Sequence, residues 1–225
     1  MIRAVVFDMD GALTRSRVGP DDLKERVLRA LARLGLPPSF FSKGEELTEI
    51  LEKAEAYIRA SGLGEEDRRR FWDEITKVLE DFEGDYVQYA SAVPGAVEVL
   101  ASLREKGLKI GLVSFSGSVV VMNLLGRLGI RGFLDALVAR DFVDDPKPNS
   151  AHLLKAVEEL GVEPHEAILI STSPSLVRYA KEIGMYALGL AGGCGGERLV
   201  KAGADAVVGS LSEALKVISD LLGER

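Results

Sequence analysis

The chain has 225 residues, enough for one large domain or for a core with a small insertion, and either can bury a substantial apolar interior. Hydrophobic residues make up 47% and charged residues 28%, the balance of an ordinary soluble protein, and no apolar stretch reaches the roughly 20 residues of a membrane helix. A formal net charge of −7 argues against a nucleic-acid partner, which normally demands a basic face, and the single Cys194 leaves no disulfide framework or cysteine-rich zinc site. Met1-Ile2-Arg3 runs straight into an apolar strand with no leader pattern, so a cytoplasmic protein with no membrane partner is expected.

That first strand, Val5-Val6-Phe7, ends in Asp8-Met9-Asp10-Gly11-Ala12-Leu13-Thr14. Successive strand residues point to opposite faces, so Asp8 and Asp10 begin on one face, and Gly11 lets the backbone turn sharply beside them. Residues 16–90 then read as helix upon helix. Asp21 to Leu34 carries Leu23, Val27, Leu31 and Leu34 at helical spacing and stops at Gly35-Leu36-Pro37-Pro38. Glu45 to Ala60 and Glu65 to about Tyr89 follow, separated by Gly62-Leu63-Gly64. The charged run Glu65 to Arg70 reads as a solvated helix face.

From Val93-Pro94-Gly95 the pattern changes to alternating helix and strand, which predicts a parallel sheet flanked by helices. Strands are expected at 108–114, 135–139, 166–171, 185–190 and 205–208, and helices at 94–106, 117–128, 149–160, 174–183, 196–202 and 211–222. The continuous apolar runs Ile110-Gly111-Leu112-Val113 and Ala167-Ile168-Leu169-Ile170 suit strands buried on both faces. The expected fold class is therefore α/β, a doubly wound parallel sheet of residues 1–15 and 91–225 with a small α-helical domain inserted at 16–90.

Two carboxylates where a strand of such a sheet ends lie at the edge that binds ligands. Asp8 is suited to attack phosphorus and form an aspartyl-phosphate, and Asp10 to protonate the leaving oxygen and later deprotonate water. Charge developing on the phosphoryl oxygens needs donors, and other strand ends offer them. Ser114 is followed by Phe115-Ser116-Gly117-Ser118 and a helix start, whose hydroxyl and N–H groups suit phosphate. Lys147 stands between Pro146 and Pro148, which fix its backbone. Gly192-Gly193-Cys194-Gly195-Gly196 lacks the spacing of a dinucleotide loop and fits a rim loop. Neither His152, within a helix, nor His165, beside Pro164, belongs to a metal cluster.

Taken together, Phe7-Asp8-Met9-Asp10-Gly11-Ala12-Leu13-Thr14, Leu112-Val113-Ser114 and Lys147-Pro148 resemble the first three motifs of the haloacid dehalogenase-like phosphohydrolases. The helical insert is similar in position to the cap of the phosphoglycolate phosphatase and β-phosphoglucomutase branch. The resemblance implies a Mg²⁺-dependent phosphatase acting on a small phosphorylated metabolite, with Asp8 as nucleophile, Asp10 as acid/base, and Ser114, Phe115 and Lys147 at the phosphate. It also implies a cap that closes over the strand ends and excludes water. The fourth motif departs from the family pattern. Where Gly-Asp-Ser-x-x-Asp is expected, the chain has Ser171-Thr172-Ser173-Pro174-Ser175-Leu176. Thr172 and Leu176 thus replace both metal-site acids, leaving Asp8, the Asp10 carbonyl and the weak donor Thr172 for the ion, with Asp141, Asp144 and Asp145 as conceivable substitutes. The rival readings are a non-catalytic phospho-ligand-binding module and a phosphomutase.

Overall fold

The computed structural model describes residues 1–42, 44–62, 64–143, 150–191 and 195–223. The chain divides into two compact units, Met1–Arg15 with Ala90–Arg225, and Ser16–Tyr89.

The first strand, β1 (Ala4–Asp8), has all five residues buried, and a two-residue strand β2 (Thr14–Arg15) follows it. Three helices come next: α1 (Pro20–Arg33), α2 (Leu47–Ala60) and α3 (Glu65–Tyr89). Each is amphipathic, and their apolar stripes meet in a core of their own built on Val27, Leu31, Ile50, Ala54, Phe71 and Ile75. The chain then forms β3 (Ser91–Ala92), antiparallel to β2 with Thr14 opposite Ala92. Hydrophobic periodicity gives no sign of this ribbon, because two residues are too few to show a period.

The rest alternates as expected: α4 (Ala96–Glu105), β4 (Lys109–Val113), α5 (Ser118–Arg127), β5 (Ala136–Val138), α6 (Ala151–Leu160), β6 (Ala167–Ser171), α7 (Pro174–Glu182), β7 (Tyr186–Leu190), α8 (Gly196–Lys201), β8 (Ala206–Val208) and α9 (Leu211–Leu221). Six strands make one sheet in the order β5-β4-β1-β6-β7-β8, with every pairing parallel. In order of appearance this is 3-2-1-4-5-6, the doubly wound arrangement. The chain winds from β1 to one side through β4 and β5, then returns to lay β6 against the other side of β1. The strand order reverses between β1 and β6, so the connections there diverge and leave a crevice beyond the carboxyl ends.

The sheet's faces are covered by helices, and the strands are correspondingly apolar throughout. Under one face Val6, Val113, Leu153, Val157, Leu160, Leu169, Leu176 and Val177 share a cluster. Gly111 lets Leu160 pack close against the sheet, since a Cβ there would lie 3.0 Å from Leu160 Cδ1. Among the described residues no helix is long and apolar enough to cross a membrane.

Candidate functional site at the switch point

Register places the chemistry. Asp8 pairs with Val113 on one side, and Phe7 pairs with Ile170 on the other, so Val113 and Ser171 flank Asp8, and Ser114 follows Val113 where β4 ends. Asp8 is only 7% exposed, yet its carboxylate is provided for: Ser171 Oγ donates to Asp8 Oδ2 at 2.8 Å. Ser171 is itself oriented, since the backbone N–H of Ser173 donates to its Oγ at 2.9 Å and leaves the hydroxyl proton for Asp8.

After β1 the backbone closes a tight turn. Leu13 and Thr14 both donate their N–H to Met9 O, Thr14 Oγ1 donates to the same carbonyl at 3.1 Å, and Gly11 N–H donates to Thr14 O. This turn leaves Asp10 exposed at the rim while Asp8 is enclosed. Gly11 has φ +83°, and a Cβ built on it would meet Thr172 Oγ1 at 2.5 Å. Only glycine allows the 171–173 segment to approach so closely. That approach brings Thr172 Oγ1 within 3.3 Å of the Asp10 carbonyl oxygen, to which it donates. Ser173 caps α7 by accepting from Leu176 N–H at 3.4 Å, and Leu176 is buried in the apolar cluster rather than facing the site.

Ser114 is 2% exposed, and its Oγ accepts the Ser116 N–H at 3.1 Å, so its hydroxyl proton is the group left to offer a ligand. The helix start behind it differs from expectation. The N–H of Ser118 donates to Asp141 Oδ1 at 2.8 Å and its hydroxyl to Oδ2, so the first turn of α5 is already served by a carboxylate. Burial pushes the Asp141 carboxyl up, but the Ser118 donors outweigh it and hold the group below its ordinary value. Asp141 therefore uses both of its oxygens to cap a helix.

Phe115 turns its ring inward onto His152, with centroids 4.8 Å apart in an edge-on arrangement, so only its backbone is available for phosphate. Arg140, 8% exposed, donates from Nη1 to the Phe115 carbonyl at 3.0 Å and braces the same loop. His152 is 1% exposed, and neither ring nitrogen has a hydrogen-bond partner among the described residues. Lys147, Asp144, Asp145 and Cys194 lie outside the described residues.

The structure thus brings Asp8, Asp10, Ser114 and Thr172 to the ends of adjacent strands. It adds Ser171 and Arg140, which sequence reasoning missed. A lone serine at a strand end carries no signal of its own, and Ser171 gains a role only because the β1–β6 register sets it beside Asp8.

A doubly wound sheet with a carboxylate at its switch point defines a class, and the match is specific. Residues 2–181 fit the haloacid dehalogenase-like hydrolase family, and the chain belongs to it. It is 29% identical over 209 residues to a phosphoglycolate phosphatase of Rhodospirillum rubrum, covering 92% of this chain and 87% of that protein. It is 28% identical over 181 residues to a glyceraldehyde 3-phosphate phosphatase of Methanopyrus kandleri, covering 76% and 75% respectively. Among solved structures it resembles a phosphatase of the same family from Thermococcus onnurineus, with a TM-score of 0.61 at 26% identity over the full length of both chains.

The family implies Mg²⁺. Among the described residues no group of three His, Cys, Asp or Glu side chains is placed to hold a metal ion. The oxygens that are present, from the Asp8 carboxylate, the Asp10 carbonyl and the Thr172 hydroxyl, are hard donors of the type Mg²⁺ accepts. They fit a cation that takes its remaining ligands from water and substrate.

Proposed function

We propose that this protein hydrolyses a small phosphomonoester through a phosphorylated Asp8. One observation carries the reading: a buried carboxylate at the carboxyl end of the central strand, held by the oriented hydroxyl of Ser171 at the crevice where the strand order reverses.

The Asp8 carboxylate attacks phosphorus, its orientation held by the Ser171 hydroxyl on Oδ2. The P–O bond to the alcohol breaks as the Asp8–P bond forms, and Asp10 gives its proton to the leaving alkoxide. Asp10, now a carboxylate, takes a proton from water, whose oxygen attacks the aspartyl-phosphate and releases inorganic phosphate and free Asp8. The Ser114 hydroxyl and the Phe115 amide would hold phosphoryl oxygens, joined by the Lys147 ammonium, and donors fixed in advance stabilise charge without reorganising. Asp8, the Asp10 carbonyl and Thr172 would hold Mg²⁺, which when bound neutralises charge on the phosphoryl oxygens. The helical unit would serve as the cap that selects the substrate and excludes water, which strengthens the electrostatics of the reacting groups. The relatives act on small phosphorylated metabolites by name, which supports a substrate of that class here.

The deciding experiment is phosphate release from a panel of small phosphomonoesters with Mg²⁺ in excess. The wild type should turn over at least one of them, and Asp8→Asn should abolish that turnover. Equal, background-level release by both proteins would point instead to a phospho-ligand-binding module, the reading favoured by Leu176 being buried where a metal-supporting acid would stand.

A further inference from the structure

We infer that Ser171 and Thr172 make divalent-cation binding conditional on bound phosphate. This rests on the proposed phosphatase site and concerns the order in which its ligands assemble.

The two oxygens that would first meet a cation each receive a hydroxyl proton. Ser171 donates to Asp8 Oδ2 at 2.8 Å, and Thr172 donates to the Asp10 carbonyl at 3.3 Å. The Ser171 proton is not easily turned away. The Ser173 N–H occupies the oxygen's lone-pair side, so rotating the hydroxyl from Asp8 would surrender one bond without releasing the other. Thr172 is close-packed against the Gly11 turn, where a Cβ would come within 2.5 Å of its Oγ1, so only glycine there lets its hydroxyl reach the Asp10 carbonyl.

Charge points the same way. Affinity for a hard cation rises with the number of anionic oxygens in the site, and Mg²⁺ surrenders its hydration shell reluctantly. Hydroxyl protons from Ser171 and Thr172 already compete with a cation for the Asp8 carboxylate and the Asp10 carbonyl, and Thr172 is a neutral donor to a cation. No cluster of acids among the described residues makes up the deficit. The phosphate supplies two negative charges and further oxygen ligands, and only then does the site acquire enough anionic oxygen to strip water from the ion. Phosphate and cation therefore bind with positive coupling, each tightening the other by the same factor.

The test uses Mn²⁺ as the probe. Its binding is read from the electron paramagnetic resonance signal of the free ion, with and without saturating inorganic phosphate and against a protein-free blank. Wild-type protein should bind Mn²⁺ alone weakly, and phosphate should tighten it tenfold or more. Thr172→Asp, which adds the missing charge, should tighten Mn²⁺ alone by tenfold or more and reduce the effect of phosphate. Ser171→Ala, which frees Asp8 Oδ2 of its proton, should give a smaller gain and serves should Thr172→Asp fail to fold. Wild-type affinity that is the same with and without phosphate, or no gain from a folded substituted protein, overturns the inference. Asp8-dependent turnover without coupling removes this inference and leaves the phosphatase standing. Coupling without turnover does the reverse.

Discussion

His152 is the residue whose setting has the clearest thermodynamic consequence. Its ring is enclosed against Phe115 with neither nitrogen partnered among the described residues, and burial alone pushes its pKa down to about 4 from the ordinary 6.5. A pKa lower in the folded than in the unfolded chain means that the unfolded state binds the extra proton first. Stability is therefore unaffected above about pH 6.5 and falls as pH drops toward 4, by about 3 kcal/mol in full. Thermal denaturation between pH 7 and 4.5 should show this loss, and His152→Phe should flatten the profile without lowering stability at pH 7. At Gly11, φ +83° and the contact with Thr172 act together. Gly11→Ala should lose about 1–2 kcal/mol from backbone conformation alone, with more from the displaced Thr172, as measured by urea denaturation.

At the scale of elements, the site is set by how strand ends and helix starts are finished. The α5 helix has Gly117 at its N-cap with no side-chain cap, and Asp141, arriving from beyond β5, accepts from Ser118 in its place. Asp141→Ala should cost about 1 kcal/mol in a chemical denaturation, the usual worth of such a cap, and Asp141→Asn less because its amide oxygen still accepts. Because the Asp141 carboxyl lies below its ordinary value, its contribution is present above about pH 4 and fades as pH falls further. The ionised form is the one that serves the helix. The same cap occupies the Ser118 N–H, one of the donors that the helix start would otherwise offer to phosphate. The α7 start is finished differently, by its own Ser173 with Pro174 behind it, which leaves Ser171 and Thr172 to address Asp8 and the Asp10 carbonyl.

At the scale of the whole molecule, two separate interiors imply separable stability. The helical unit packs around Phe71 and Ile75, whereas the sheet packs around residues such as Val6, Leu153 and Leu169. Phe71→Ala should remove about 3–5 kcal/mol from the helical unit. Hydrogen exchange should then quicken across α1 to α3 while β1, β4 and β6 keep their protection; uniform loss of protection would mean that the two units unfold as one.

How much of this the sequence determined depends on the distance over which each feature is specified. Alternation of helix and strand after residue 93, buried apolar strands and the Asp8–Thr14 turn are written in neighbouring residues, so local periodicity and turn chemistry reveal them. The same is true of the missing acids at Thr172 and Leu176, which are visible as soon as the segment is aligned with a motif. Strand order and register were settled only by the fold, because parallel neighbours are joined by long crossovers and one residue of slip exchanges the faces. The Ser171–Asp8 hydrogen bond spans 163 residues of sequence, the Asp141 cap joins a turn to a helix 23 residues earlier, and His152 is buried only through packing. Each depends on where distant backbone comes to rest, and no local pattern encodes that.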